Sequence, residues 1–265
     1  MLNYVDWCNI MSLDIEFIAD EKYAGLIPEP IPAYKKFPEW YSKLDGRKCP
    51  LRFVNDEPFP DGGNLKNCPG ITDYMKAGYI IPAWNTFTFR GVDDYGVKVN
   101  WLDSYVDTSM TVHSDNQFYT FLDEQKPTYG AFFKITGPWF VKTKPGVSII
   151  LTHPVWHRNK TFTSCTGIYH SDINACQLQW FFEFNQPLNN IDFDFDTQMV
   201  TEGSPIIQII PFYRDSFKSE VKYVTSQKFK HIQESTHRSN ILSKLRNRGL
   251  SDYANVRRGF KNFFR

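Results

Sequence analysis

Much of this chain alternates apolar and polar residues with a period of two, the pattern of strands with one buried and one wet face. Leu13-Asp14-Ile15-Glu16-Phe17 alternates in this way. So does Cys176 to Phe184, where Gln177 and Gln179 interleave with Leu178 and Trp180. Tyr79-Ile80-Ile81 is apolar enough for a buried strand, and Pro82 stops it. Residues 86–90 and 97–101 predict two more strands, joined by an Asp93-Asp94-Tyr95-Gly96 turn. Residues 118–122, 131–135 and 139–142 continue the β pattern. Ile191, Phe193 and Phe195 alternate with Asp192, Asp194 and Asp196, a strand with an acidic face. That run lacks the glycine and distal glutamate of a calcium loop.

Other stretches break this rhythm. Ile27-Pro28-Glu29-Pro30-Ile31-Pro32 cannot be a helix or a central strand, because each proline fixes φ and removes a donor. It predicts an extended arm or edge segment within a Pro-rich arm over residues 27–38. Residues 33–44 then read as a short helix with Phe37, Trp40, Tyr41 and Leu44 on one face. Residues 72–77 give one or two helical turns ended by Gly78. A cassette runs from Lys144 to Asp215 as three modules of turn plus strand, opened by Pro145-Gly146, Thr166-Gly167 and Glu202-Gly203. Past Lys218 the texture changes. Phe229, Ile232, Ile241, Leu242 and Leu245 suit a helix, and Ser251 can cap a second one carrying Tyr253, Val256, Phe260 and Phe263-Phe264. The expected organisation is a β-rich core over 1–220 and a basic amphipathic helical tail over 221–265. The expected fold is mainly β: a distorted β-barrel or jelly-roll-like sandwich with short helices and the C-terminal extension.

Composition supports a packed core. Of 265 residues, 42 % are hydrophobic, with 23 Phe, 14 Tyr and 7 Trp, which excludes disorder and disfavours a helical bundle. Cys8, Cys49, Cys68, Cys165 and Cys176 form no CxxC pair, and the odd count reads as reduced thiols. No apolar run approaches the ~20 residues that span a bilayer. The N-terminal residues lack the basic-then-apolar pattern of a signal peptide, so neither secretion nor membrane insertion is expected. The net charge of +1 hides a split. Residues 221–265 hold 11 Lys and Arg against Glu234 and Asp252, or +9, and the remainder holds 19 basic against 27 acidic residues, or −8. Such a tail can dock on its own body, on another subunit or on nucleic acid. The candidate contacts for nucleic acid or a partner are Lys244, Arg246, Arg248, Arg257 and Arg258, with Phe229, Tyr253, Phe260 and Phe263-Phe264 to help on a nucleic acid.

Candidate chemistry is sparse. His153 and His157 stand four apart, but Pro154 argues for a loop, and the zinc HExxH pattern needs a glutamate that is missing. His170-Ser171-Asp172 has the HxD spacing of a non-haem iron facial triad, as does His113-Ser114-Asp115. That triad needs a later histidine on a strand, and the later ones, His231 and His237, lie in the basic helical region. Two readings stay open: hydrogen-bonded structural histidines, or an iron or zinc site drawn from His153, His157, His170 and Asp172. Cys165 and Cys176 read as core thiols. Cys68 precedes a helical start that can stabilise a thiolate, with no histidine near in sequence to act as its base. There is no phosphate-binding glycine loop and no serine elbow.

Several blocks, in order, resemble an uncharacterised family frequent in tailed phages of marine bacteria. They are Ile27-Pro28-Glu29-Pro30 with Phe37-Pro38-Glu39-Trp40-Tyr41, then Lys66-Asn67-Cys68-Pro69 with Ala77-Gly78-Tyr79-Ile80-Ile81-Pro82. Lys144-Pro145-Gly146-Val147-Ser148 and Thr166-Gly167 to Asp172 follow. Gly203-Ser204-Pro205-Ile206-Ile207-Gln208 and Pro211-Phe212-Tyr213-Arg214-Asp215 complete the set. The family usually has aspartate where this chain has His170. The resemblance implies a viral origin, with the host cytoplasm or the virion as location, and brings no activity with it. The cassette alone resembles the trimeric dUTPase and dCTP deaminase β-barrel, through Gly167-Ile168-Tyr169-His170-Ser171-Asp172-Ile173 and Gly203-Ser204-Pro205-Ile206-Ile207-Gln208. In that class the water-activating aspartate falls at His170 and the hairpin tyrosine at Ile173. The phosphate block is replaced by His153-Pro154-Val155-Trp156, and the glycine-rich C-terminal arm is absent, so this resemblance implies a skeleton and not dUTP hydrolysis.

Three functional expectations follow. The first is a non-enzymatic binding or virion-associated assembly protein that self-associates or binds other phage proteins. The second is an enzyme or small-ligand protein with a pocket of His153, Trp156, His157, His170, Asp172 and Gln208. There His170 and Asp172 are the catalytic candidates, and iron or zinc is the candidate cofactor. The third is a nucleic-acid binder working through the tail.

Overall fold

The structure, a computed structural model, describes residues 14–44, 53–54, 57–58, 65–91, 97–101, 106, 108–114, 131–185 and 198–245. The strands expected at 118–122 and around Phe193, the turn at 93–96, the second tail helix, Cys8 and Cys49 lie outside these residues. The chain divides into two units, 1–214 and 215–265, a few residues before the boundary expected at 220.

In chain order the first unit begins with β1 (Ile15–Ile18), then β2 (Ile31–Pro32) at the end of the proline-rich arm, and α1 (Glu39–Lys43). The helix expected over 33–44 is split: residues 33–35 form a 3-10 turn, and α1 starts only after Pro38, which has no N–H to give a preceding turn. Two-residue strands β3 (Phe53–Val54) and β4 (Glu57–Pro58) form a small hairpin. They are followed by α2 (Pro69–Lys76), β5 (Tyr79–Pro82), β6 (Phe87–Gly91), β7 (Val97–Trp101) and β8 (Met110–Ser114). The cassette supplies β9 (Ala131–Thr143), β10 (Val147–Thr152), β11 (Phe162–Ser164), β12 (Gly167–Tyr169), β13 (Cys176–Phe184), β14 (Gln198–Val200) and β15 (Pro205–Tyr213). The second unit contains α3 (Ser226–Leu245). Among the described residues no helix is long and apolar enough to cross a membrane.

Among the described residues all strand pairs are antiparallel. One sheet runs β1-β9-β13-β11 with β8 also on β9, a second runs β12-β10-β15-β5-β2, and a third runs β14-β6-β7. The protein is mainly β, as its alternation predicts. Among the described residues no sheet closes on itself, so the barrel alternative is corrected. The sheets share one hydrophobic core and are consistent with a sandwich.

The long β9 replaces the two strands expected at 131–135 and 139–142. Gly137-Pro138 looks like a break, but pairing jumps there from Gln179↔Thr136 to Gln177↔Phe140, a bulge that lets the proline sit in the strand without a ladder donor. Gln177 closes it by donating its side-chain amide to the Gly137 carbonyl at 3.1 Å.

The core is an aromatic stack built on β13. Leu178, Trp180, Phe182 and Phe184 are buried on its inner face. Trp180 stacks on Phe182 at 4.1 Å between centroids and meets Phe162 edge-on at 4.7 Å. Phe89 and Phe133 each meet Phe184 at 5.1 Å. These offset and edge-on pairs add about 0.5–1.5 kcal/mol each beyond the area they bury.

Gly78 joins α2 to β5 at φ +67°, and a Cβ there would lie 1.8 Å from the Ile209 carbonyl oxygen on β15. Both the left-handed backbone and the backbone-to-backbone approach demand glycine. In urea titrations Gly78→Ala is expected to lose at least about 1–3 kcal/mol of stability. A loss within the error of the wild type would contradict this packing.

Candidate functional site

Three motif blocks of the cassette meet at one end of β10. The first is the turn Lys144-Pro145-Gly146-Val147. Val147 N–H donates to the Lys144 carbonyl at 3.2 Å, and Gly146 has φ +82°. Proline at the second position and glycine at the third make this a type II turn. The second block brings Asp172, three residues past the end of β12. The third brings Arg214, immediately after β15, with its backbone N–H on the Gly146 carbonyl at 3.0 Å.

These groups saturate one another. Asp172 accepts the Gly146 N–H at 2.9 Å and takes both arms of the Arg214 guanidinium, at 2.6 and 2.5 Å. Arg214 holds the Asp172 carboxyl well below the usual carboxylate range, helped by the Gly146 N–H and opposed by desolvation. The Arg214 guanidinium also donates to Ser148 Oγ at 2.6 Å, and Ser148 Oγ lies 2.8 Å from His170 Nδ1. Having accepted from arginine, the Ser148 hydroxyl can direct its own proton to Nδ1, placing the imidazole proton on Nε2. Ser148 is fully buried and His170 is exposed. Beneath them Thr143 Oγ1 donates to the Val147 carbonyl at 2.7 Å and lies 2.8 Å from Ser171 Oγ. Lys144 pairs with Asp14 at 2.5 Å and lies over the Tyr213 ring.

The other candidates stand at the opposite end of β10. The strand has six residues, which separates its ends by about 17 Å. His153 is buried there. Its Nδ1 accepts the Ser164 N–H at 3.1 Å, and burial holds its pKa down. Trp156 packs against Trp40 of α1 at 6.2 Å, and its carbonyl accepts the Trp40 indole N–H at 2.7 Å. His157 lies in the same 3-10 turn. Burial first, then the charges of Lys36 and His153, push its pKa down to about 4. Gln208 pairs with Thr152 on β10 but turns its buried amide to α2, donating to the Tyr74 and Ala77 carbonyls at 2.9 Å each. It closes the C-terminal end of that helix.

The six residues of the expected pocket therefore divide into two places: His170 and Asp172 at one end, His153, Trp156, His157 and Gln208 at the other. The four candidate ligands of an iron or zinc site divide in the same way, His170 and Asp172 at one end of β10 and His153 and His157 at the other. His153 Nδ1 is taken by the Ser164 N–H, and Asp172 already accepts three hydrogen bonds, two of them from a cation. Among the described residues no group of three or more His, Cys, Asp or Glu is placed to hold a metal ion. The other HxD histidine, His113, sits on β8 with its ring edge-on to Phe181, and Asp115 lies outside the described residues. Cys165 and Cys176 are half-buried rather than in the core, and burial pushes the Cys165 thiol up to about 12 and raises that of Cys176, which disfavours the reactive thiolate. Cys68 is exposed just before α2. Of the basic candidates, Lys244 falls in the last turn of α3, and Arg246, Arg248, Arg257 and Arg258 lie outside the described residues.

Sequence reasoning assigned no role to Ser148, Ser164 or Arg214. The signal was present, since Ser148 and Arg214 each stand in a block that marks the cassette. No family model matches this chain, and no curated protein matches it.

The two histidines predict a pH dependence. Their folded pKa values lie below the ordinary 6.5, so the unfolded chain binds more protons as the pH drops. Stability is expected to be full above pH 6.5 and to decline as the pH falls from 6.5 toward 4, with His157 contributing no more than about 3 kcal/mol. Denaturation followed between pH 7 and 4 should show a shallower decline in His157→Gln. Asp172 works in the other window. Asp172→Asn should lower the melting temperature at pH 7, and the gap to wild type should close as the pH falls below 3.8, the ordinary aspartate value. A gap that stays constant down to pH 2 would mean the carboxylate charge is not what Arg214 holds.

Proposed function

We propose that this chain is a phage-encoded, non-enzymatic binding or assembly protein, built on a jelly-roll-like sandwich and acting in the host cytoplasm or the virion. The observation that carries this reading is where the unsatisfied surface lies. Inside the sandwich, the polar groups that a catalyst would use are occupied by bonds that hold the fold: Asp172 on Arg214 and Gly146, His153 on Ser164, Gln208 on α2. Outside it, Phe217 is 90 % exposed and Tyr223 97 % exposed, just ahead of the basic α3. Large aromatic side chains in water next to charge mark a contact surface for another macromolecule.

A second reading rests on charge. With +9 over residues 221–265, and with exposed Lys228 and Lys230 on α3, the tail can track phosphates. Phosphate binding is lost steeply with salt, whereas an apolar contact survives it.

Mass spectrometry of purified particles of the encoding phage is expected to detect the protein. Capture with the full-length chain is expected to retain phage proteins at high salt. Absence from particles combined with no captured partner would defeat the assembly reading. Retention of DNA that disappears on raising salt, and in Lys228→Glu with Lys230→Glu, would put the nucleic-acid reading in its place.

A further inference from the structure

Three segments of the first unit pack together and concentrate its basic residues. They are residues 33–44, with a 3-10 turn and α1, residues 65–77, with α2, and residues 153–161, the loop that leaves β10. The Trp40 indole N–H on the Trp156 carbonyl, at 2.7 Å, joins the first segment to the third. The Tyr41 and Thr72 hydroxyls, 2.9 Å apart, join the first to the second. His157 bonds to the Lys36 backbone, Lys76 lies 5.9 Å from the centre of the Phe37 ring, and Lys66 lies 5.5 Å from that of Tyr41. Lys35, Lys43, Arg158 and Lys160 are exposed.

Charge sets this surface apart from the body that carries it. The three segments hold 7 basic residues against Glu39 and Asp73, or +5, while the rest of residues 1–220 holds 12 basic against 25 acidic residues, or −13. Gathered like charges repel one another, so a basic surface on an acidic body is of use only against an anionic partner. Arg158 repeats the point in its backbone. Its φ of +52° favours glycine or asparagine, yet the chain sets a long cation there and its asparagine one place later, at 159.

Composition selects the partner. Six of the seven basic residues are lysine, a type depleted from protein–protein contacts and used on phosphates. The second unit, +9 over residues 221–265, offers them no opposite charge. Aromatic residues stand among the lysines. Tyr34 is 56 % exposed with Lys35 5.8 Å from its ring centre, and Phe37, Trp40 and Trp156 are half-buried. Cations interleaved with rings suit a polymer that alternates phosphates with unpaired bases. A duplex keeps its bases stacked on one another and leaves such rings unused.

We propose that the surface formed by α1, α2 and the loop after β10 binds single-stranded nucleic acid, with Lys36, Arg158 and Lys160 on phosphates and Tyr34 and Trp156 against bases. This goes beyond the assembly reading and uses no part of the tail.

Fluorescence anisotropy of the full-length protein with a labelled oligothymidine of about 20 nucleotides, longer than the ~4–16 that one single-strand module covers, tests it. Every comparison is made in a parent carrying Lys228→Glu with Lys230→Glu, which weakens any contribution of the tail. The parent is expected to bind at about 50 mM salt and to lose affinity as salt rises. Adding Arg158→Glu with Lys160→Glu should weaken binding about tenfold or more, a difference of about 1.4 kcal/mol. It should also make the fall of log K with log salt shallower by about 1.4, the value for two lost phosphate contacts. Lys98→Glu with Lys142→Glu makes the same change of net charge elsewhere on the first unit and should leave binding near the parent's. Tyr34→Ala should weaken binding with an unchanged salt slope, the mark of a stacked base. All five positions are exposed, so melting temperatures should stay at the parent's value. No binding by the parent overturns the proposal, and so does an affinity that Arg158→Glu with Lys160→Glu leaves unchanged. Equal losses in the two charge-reversed pairs overturn it too, since net charge alone would then explain them. Tyr34→Ala that binds like its parent, or tighter binding of the corresponding duplex, removes the single-strand assignment. Polyglutamate bound as tightly as the oligonucleotide would give the surface to an acidic protein instead.

Discussion

Burying Trp180 obliges the fold to find an acceptor for its indole N–H, and the answer organises the sandwich. Ser164 Oγ takes that proton at 3.1 Å and passes its own to the Ile206 carbonyl on β15 at 2.5 Å. Ile206 is available because the β15–β5 register shifts between Pro205 and Ile207 and leaves it outside the ladder. The Ser164 backbone N–H in turn goes to His153 Nδ1. A single buried serine thus ties β13 in one sheet to β15 in the other and to the loop leaving β10. An orphaned indole or carbonyl in this interior would cost about 1–3 kcal/mol, so these contacts hold together or fail together.

The same rule explains most of the polar side chains in the cassette. Each irregularity that the β ladders leave open is closed by a side chain from elsewhere. Gln177 closes the Gly137 bulge, Gln208 closes the end of α2, and Asp172 closes the Gly146 turn with the help of Arg214. These are residue types that a catalytic reading also selects, since acceptors and donors look alike in a sequence. The distinction lies in whether their lone pairs and protons are spent. At Asp172 both oxygens are spent. At His170 only Nδ1 is engaged and the ring is exposed, so it is the one candidate of that end still facing solvent.

What was legible in the sequence follows from range. β7 and β13 are local patterns of alternation, β5 is a local apolar run, and the Pro145-Gly146 turn is a local rule of dihedral angles, so each was readable from adjacent residues. The helix over 33–44 failed because the apolar spacing across it was regular while Pro38 interrupted the backbone. β9 was read as two strands because Gly137-Pro138 carries the letters of a break, and the Gln177 amide that repairs it lies 40 residues away. The pocket failed for a further reason. HxD and HxxxH spacings describe helices or single strands, whereas here β10 stands between the two groups and its length holds them apart. The bond from Arg214 to Asp172 spans 42 residues and has no local signature, although both ends stand in marked blocks.

Arg214, the last residue of the first unit, is held by its backbone on Gly146 and by its guanidinium on Asp172 and Ser148, so the chain leaves the sandwich from a fixed point. The cluster that resembled a catalytic site in the sequence then has a plain physical use. It fixes the point at which the chain leaves β15, and Asp172 serves that purpose best while ionised and bonded to Arg214.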